Sequence, residues 1–272
     1  MAQPIENHGI VGNLRTAALI GLDGAVNFLC WPRFDSPSIF ASLLDDERGG
    51  SFELTPVLDG PRHRQLYLPD TNVLLTRFLS PDGVAEISDF MTIGDLDAGS
   101  RLVRRVKAVR GSIHFRMRCM PRFDYARLDP KIYEEAGTVI FRGGHLALRL
   151  RASVPVDVSK GAALAEFDLA AGESASFILE DASYGEDSIS ADPGYVSAAF
   201  TCAIGGAASA TNRNDQPARD RLRLQRWRGL AGTALPCPRK DAGGRAPVKA
   251  GGGVLSTGRL RAISDSCRMI TL

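Results

Sequence analysis

Between residues 10 and 200 apolar and polar positions trade places with a period of two, in short runs. That period is the mark of strands with one face on a core and the other toward water. Ile113–Met120 is the clearest run: Ile113, Phe115, Met117 and Cys119 fall on one face, His114, Arg116, Arg118 and Met120 on the other. Leu146, Leu148 and Leu150 alternate with Ala147, Arg149 and Arg151, and Val154, Val156 and Val158 continue the pattern. Pro155 lacks an N–H, which favours a sheet edge for that stretch. Ala175, Phe177 and Leu179 form a further run.

Turn signals punctuate these runs. Asp23-Gly24 sits between Ala17–Leu22 and Val26–Trp31, a strong hairpin cue. Pro81-Asp82-Gly83, Arg110-Gly111-Ser112, Gly143-Gly144 and Ala171-Gly172-Glu173 separate the later runs. Many short strands joined by tight turns, with no βαβ alternation, predict an all-β chain: a large antiparallel two-sheet β-sandwich. Phe40–Asp46 is expected to form one brief helical turn in a connection.

Composition divides the chain. Of its 272 residues, 44% are hydrophobic and 24% charged, ordinary for a globular protein. The formal net charge of +2 hides an asymmetry. Residues 212–272 hold 13 basic and 4 acidic side chains, whereas 1–211 hold 20 basic and 27 acidic ones. Trp227 is the only aromatic residue in that basic stretch, which cannot bury much apolar area. The expected organisation is a sandwich over 1–204, then a linker and a poorly ordered basic tail over 205–272, with a short basic helix at Asp220–Leu230. A basic tail raises the prospect of nucleic-acid binding. The tail lacks interleaved aromatics for base stacking and any known nucleic-acid-binding signature, so no such partner is expected.

The amino terminus has neither a basic nor an apolar leader segment, and no run of eighteen apolar residues occurs. The expectation is a cytoplasmic protein without membrane association. Five scattered cysteines fit reduced thiols better than a disulfide framework, and Cys30 and Cys119 read as core residues. His8, His63, His114 and His145 are dispersed and show no ligand spacing, so neither a metal nor a cofactor is expected.

One tetrapeptide recurs. Pro32-Arg33-Phe34-Asp35 is echoed by Pro121-Arg122-Phe123-Asp124, each directly after an expected strand. Proline stops the strand, an Arg-x-Asp pair can lock the loop by charge-assisted hydrogen bonds, and the aromatic residue would anchor it to the sandwich edge. Pro121, Arg122, Phe123 and Asp124 read as a structural corner. At the first copy Trp31 offers a flat apolar face suited to a pyranose ring, beside the polar groups of Arg33 and Asp35. Those three form the candidate substrate-cleft loop. Glycoside hydrolysis needs two carboxyl groups about 5 Å or about 6.5–9.5 Å apart. Asp35, Asp70, Asp89 and Asp124 qualify by residue type alone, each beside a turn that favours aspartate for backbone reasons. No catalytic residue is assigned in this chain.

The longer motifs carry a resemblance. Pro4-Ile5-Glu6, Gly9–Ala18, GLDGAVNFLCWPRFDSPS (Gly21–Ser38), LYLPDTNVLLTRF (Leu66–Phe78), VAEISDFM (Val84–Met91), LVRRVKAVRG (Leu102–Gly111) and MPRFDY (Met120–Tyr125) resemble, in order, the amino-terminal domain of bacterial glycoside hydrolase family fifteen proteins. That family comprises glucoamylases, glucodextranases and trehalases, and the similarity covers about residues 4–180. The resemblance implies a sandwich of the supersandwich type preceding a helical α/α barrel. The barrel carries the two catalytic glutamates that hydrolyse α-glucosides with inversion. The expected function is therefore a truncated glucoamylase- or trehalase-like hydrolase of carbohydrate metabolism, represented by its accessory domain. The alternative is a free-standing carbohydrate- or partner-binding module. The implied partners are an α-glucoside or oligosaccharide and the barrel domain. The abrupt change in charge and aromatic content suggests a shifted reading frame or a decayed gene end over the last 60 or so residues. Resequencing the locus checks this: a barrel-coding frame in another phase downstream of codon 272 is the expected finding, and its absence sinks the idea.

Overall fold

A computed structural model describes residues 3–92, 99–135, 137–183, 196, 197, 199 and 200. The chain divides into two units, Met1–Gly232 and Thr233–Leu272, and every described residue belongs to the first. The linker, the basic tail, the Asp220–Leu230 helix and the boundary at 204/205 lie outside the described residues.

The described chain is all-β, in two antiparallel sheets. In chain order the strands are β1 (His8–Gly12), β2 (Ala17–Gly21), β3 (Val26–Cys30), β4 (Ser38–Phe40), β5 (Ser51–Val57), β6 (Arg62–Tyr67), β7 (Leu74–Leu79) and β8 (Val84–Met91). There follow β9 (Arg101–Arg110), β10 (Ile113–Met120), β11 (Lys131–Glu135), β12 (Thr138–Gly143), β13 (Leu146–Ala152), β14 (Asp157–Ser159), β15 (Ala162–Leu169) and β16 (Ser174–Asp181). The first sheet runs β1-β2-β3-β5-β10-β15-β14, with β4 also on β3. The second runs β11-β12-β13-β16-β9-β8-β7-β6.

The inward registers build one core. Ile113, Phe115, Met117 and Cys119 of β10 point into it, as the alternation requires, and meet Leu148, Leu150, Phe177 and Leu179 of the second sheet. Phe177 packs edge-on against Phe52, with ring centres 6.4 Å apart, and Phe115 stacks on Phe167 at 5.6 Å. Cys30 and Cys119 are both buried, and burial pushes both thiols up from their ordinary range.

Turns divide into two kinds. Asp23-Gly24, Pro81-Asp82-Gly83 and Gly143-Gly144 close hairpins within a sheet. Arg110-Gly111-Ser112 and Ala171-Gly172-Glu173 instead carry the chain across the sandwich: β9 and β16 lie in the second sheet, β10 and β15 in the first. Gly111 shows why glycine stands there. Its φ is +80°, and an added Cβ would lie 2.6 Å from the Asp82 carbonyl oxygen. Two expectations need correction. Phe40 belongs to β4 and is fully buried, and residues 42–44 and 46–48 form turns rather than a helix. β13 ends at Ala152, so Val154 and Val156 pack on the core from a connection, while Val158 joins β14 on the other sheet.

One polar group crosses the core. Arg104 on β9 and Asp89 on β8 are opposite in register and 0% exposed. The Arg104 Nε–H donates to Asp89 Oδ1 at 2.7 Å and an Nη2–H reaches Oδ2 at 3.4 Å. The same guanidinium donates to the carbonyls of Phe52 and Gly24 on the first sheet and lies 4.8 Å over the Phe52 ring. Burial pushes the Asp89 carboxyl up, and the charge and hydrogen bonds of Arg104 oppose that push. Replacing one partner strands the other as an unpaired buried charge. Asp89→Asn should therefore cost about 3–5 kcal/mol in urea unfolding. Asp35→Asn, in an ion pair whose side chains are 70% and 72% exposed, should cost no more than about 1 kcal/mol. Equal losses would remove the clamp from its structural role.

Candidate functional site at the loop end of the first sheet

Topology gathers the sequence motifs at one end of the first sheet. β3 and β10 both run antiparallel to β5, so their carboxyl ends lie together. Beside them sit the β1–β2 connection at 13–16 and the β14–β15 turn at Lys160-Gly161. Hydrogen bonds tie these loops. The Phe34 N–H donates to the Arg15 carbonyl at 2.8 Å, and the Arg122 N–H to the Ile39 carbonyl at 2.8 Å. Asn13 Oδ1 accepts from the N–H groups of Arg15 and Thr16, both at 3.1 Å, and the Thr16 hydroxyl donates to the Cys30 carbonyl.

The two Pro-Arg-Phe-Asp copies meet there but are built differently. In the first, Arg33 and Asp35 form the expected lock at 3.1 Å, yet Phe34 stands 57% exposed instead of anchoring the loop. In the second, Phe123 is buried and anchors the corner, its ring so close to Gly143 that a Cβ there would approach it to 2.5 Å. The lock does not form at that copy: Arg122 pairs with Asp129 at 3.2 Å, and Asp124 with Arg127 at 3.7 Å. Pro121 is buried beside them. Trp31 is 1% exposed, so the ring read as a sugar platform faces the core rather than the surface. Among the described residues its indole N–H has no hydrogen-bond partner.

This end also concentrates backbone strain. Six described residues other than glycine have positive φ, and five of them lie here: Leu14, Asp124, Tyr125, Ala126 and Lys160. Asp124, Tyr125 and Ala126 are consecutive, a single left-handed turn in L-residues. Each such residue costs about 1–2 kcal/mol, so isolated cases are usual and a run of three is not. The turn holds Tyr125 48% exposed, alongside exposed Leu128. Strain of this kind collects where a loop must hold a particular display.

A second feature lies on the outer face of the same sheet. β3 and β5 share one paired position, Val26 with Phe52, and then part. The gap forms a polar cleft of about 200 Å³ lined by Asp23, Asn27, Ser42, Asp46, Glu53 and Thr55 among others. Its walls are hydrogen-bonded in sequence. Ser42 donates to Asn27 Oδ1 at 3.1 Å, and Asn27 Nδ2 donates to His8 Nε2 at 3.0 Å. His8 Nδ1–H then faces the Pro4 carbonyl at 3.0 Å, which fixes the tautomer. Ser51 and Arg118 both donate to Glu53 Oε1, at 2.5 and 2.9 Å. Sequence reasoning missed this cleft, because its residues are ordinary outward positions until the two strands separate.

Three of the four carboxylates singled out by type are held in ion pairs. Asp35 is paired with Arg33, Asp124 with Arg127, Asp89 is sealed with Arg104, and Asp70 is an exposed residue with φ +58° in the β6–β7 turn. Among the described residues no group of three or more His, Cys, Asp or Glu side chains is placed to hold a metal.

Comparison with known proteins places this architecture. Residues 1–190 match the family model described as trehalase-like, N-terminal. Trehalase 1 of Sulfolobus acidocaldarius is 38% identical over 154 residues, 56% of this chain and 26% of its own length. The trehalase of Mycolicibacterium smegmatis is 34% identical over 143 residues, 46% of this chain and 21% of its own. The trehalase of Mycobacterium tuberculosis is 32% identical over 142 residues. The chain thus spans about a quarter or less of the length of these relatives. With a family model matched over most of its residues and the two-sheet sandwich in place, the chain belongs to the trehalase-like amino-terminal domain family.

Proposed function

We propose that this chain is the non-catalytic sandwich portion of an α-glucoside hydrolase of the trehalase type. Its loop end forms one wall of a sugar cleft whose other wall, the catalytic α/α barrel, lies outside it. The observation that carries this reading is the strained turn Asp124–Ala126, which holds Tyr125 outward at the same end of the sheet as the exposed Arg33–Asp35 corner. Arg33 and Asp35 supply polar contacts for sugar hydroxyls, and Phe34 and Tyr125 take over the apolar role that buried Trp31 cannot play. Substrates of the intact family, an α-glucoside such as trehalose or an oligosaccharide, are the expected ligands. Hydrolysis is assigned elsewhere because Asp35, Asp89 and Asp124, three of the four carboxylates singled out by type, are engaged in ion pairs with arginine. No described helix is long and apolar enough to cross a membrane. Two buried free thiols fit a reducing compartment, so we place the protein in the cytoplasm.

A second reading is favoured by the cleft between β3 and β5. Its mixed amide, hydroxyl and carboxylate lining suits a polyhydroxylated ligand, as expected of a free-standing carbohydrate-binding module.

Three measurements test these readings. The purified chain should release no glucose from trehalose or maltooligosaccharides. Release that is abolished by Asp35→Asn or Asp124→Asn would overturn the non-catalytic assignment. Calorimetric titration with trehalose should be silent at millimolar sugar if the cleft needs its second wall. Heat that disappears in Asn27→Ala would favour the free-standing module. Ala126→Gly should stabilise the domain by about 1 kcal/mol by relieving the left-handed turn. A loss of stability instead would show that the turn is not strained.

A further inference from the structure

The outer face of the second sheet carries an unbalanced cluster of charge among the described residues. Glu180 on β16 is 5% exposed. It faces Arg149 of β13 on one side and Arg101 of β9 on the other, in one row across three strands. Arg151, two residues along β13, reaches the same carboxylate diagonally. The Arg101 Nε–H donates to Oε2 at 3.0 Å and the Arg151 Nε–H to Oε1 at 2.8 Å. Both oxygens are then engaged. Arg149 is left at 3.8 Å from Oε1, too far for a hydrogen bond. Among the described residues its buried Nη1 has no hydrogen-bond partner, and its side chain is 9% exposed.

Among the described residues, three guanidinium groups against one carboxylate leave a surplus of two positive charges in a largely buried setting. An unpaired buried charge is destabilising, and an orphaned charged N–H adds to that. Arginine keeps its proton, so the cluster cannot neutralise itself by titration. A second anion would satisfy both deficits. Arg101 and Arg151 each remain 17% exposed, which leaves the cluster open to solvent at its rim.

We propose that Arg149, with Arg101 and Arg151, forms an oxyanion-binding site on the outer face of the second sheet. It takes a carboxylate or a tetrahedral oxyanion beside Glu180. The guanidinium fork of Arg149 is the recognising group, and Arg101 and Arg151 add charge. The ligand is either a free oxyanion or a carboxylate side chain of another protein segment.

The test is calorimetric titration of the 272-residue chain with sodium sulfate, at ionic strength held constant with chloride. One saturable site per chain is expected, with half-saturation at about millimolar sulfate. Arg149→Met should weaken it about tenfold, the loss expected for one charge-assisted hydrogen bond. Arg116→Gln, on the outer face of the first sheet, should leave it unchanged. Glu180→Gln should tighten sulfate binding several-fold and lower the thermal midpoint in a way that sulfate restores. A cluster that serves structure alone would lose stability in Glu180→Gln without that restoration, which keeps the test decisive if Arg149→Met fails to fold. Competition by hexaglutamate would assign the site to a protein carboxylate, and saturation without competition would assign it to a free oxyanion. A sulfate response that is linear, and equal in the wild type and Arg149→Met, would overturn the proposal.

Discussion

Arg104 joins the two sheets through a single planar group. It arises on the second sheet, is held by Asp89 of the neighbouring strand, and spends its remaining donors on the Phe52 and Gly24 carbonyls of the first. Packing alone leaves two greasy faces free to slide. A guanidinium with fixed donor directions does not, because each displacement breaks a bond in a place where water cannot replace it. Gly24 completes the device. Its φ of +80° and the 2.7 Å approach of an added Cβ to Ile87 let the hairpin turn tuck inward far enough to present its carbonyl. The register of the sandwich, and with it the position of the loop end, follows from that alignment.

The loop end illustrates how similar words acquire different roles. Both Pro-Arg-Phe-Asp copies terminate strands that point the same way, so the fold brings them to one rim. The second is drawn inward by Phe123 against Gly143, and its charges are redistributed to Asp129 and Arg127. The first keeps its local ion pair because its aromatic residue stays outside. One copy is thus a wedge and the other a projection. Identical short sequences do not specify identical environments when the neighbouring strand differs.

Much of the fold was legible in the period-two pattern, since each inward residue of β10 could be named from alternation alone. Three things were not. Arg110-Gly111-Ser112 and Ala171-Gly172-Glu173 look like hairpin turns, and nothing local says that their flanking strands pair with distant partners. Trp31 follows a strand in a polar, proline-rich stretch, which disguises its burial. Arg104 and Asp89 interrupt apolar registers and would ordinarily be read as outward positions. A signal was nevertheless available: Leu102, Arg104, Val106 and Ala108 share one face, as do Ala85, Ile87, Asp89 and Met91. Two opposite charges set in inward registers of consecutive strands mark a buried pair. The Pro-Arg-Phe-Asp corner was visible as a motif, but which of its side chains face outward depends on tertiary packing.

The order of strands in the second sheet has a consequence for how the chain is made. β16 is the last strand in sequence among the described residues, yet it lies between β9 and β13. While a ribosome is still short of Asp181, those two strands have no partner on their facing sides and expose unsatisfied amides over apolar surface. A nascent chain stalled in that interval presents the open edges that invite pairing with another molecule. Closure of the sheet is therefore a late event, and insertion of one central strand completes the sheet's hydrogen bonding.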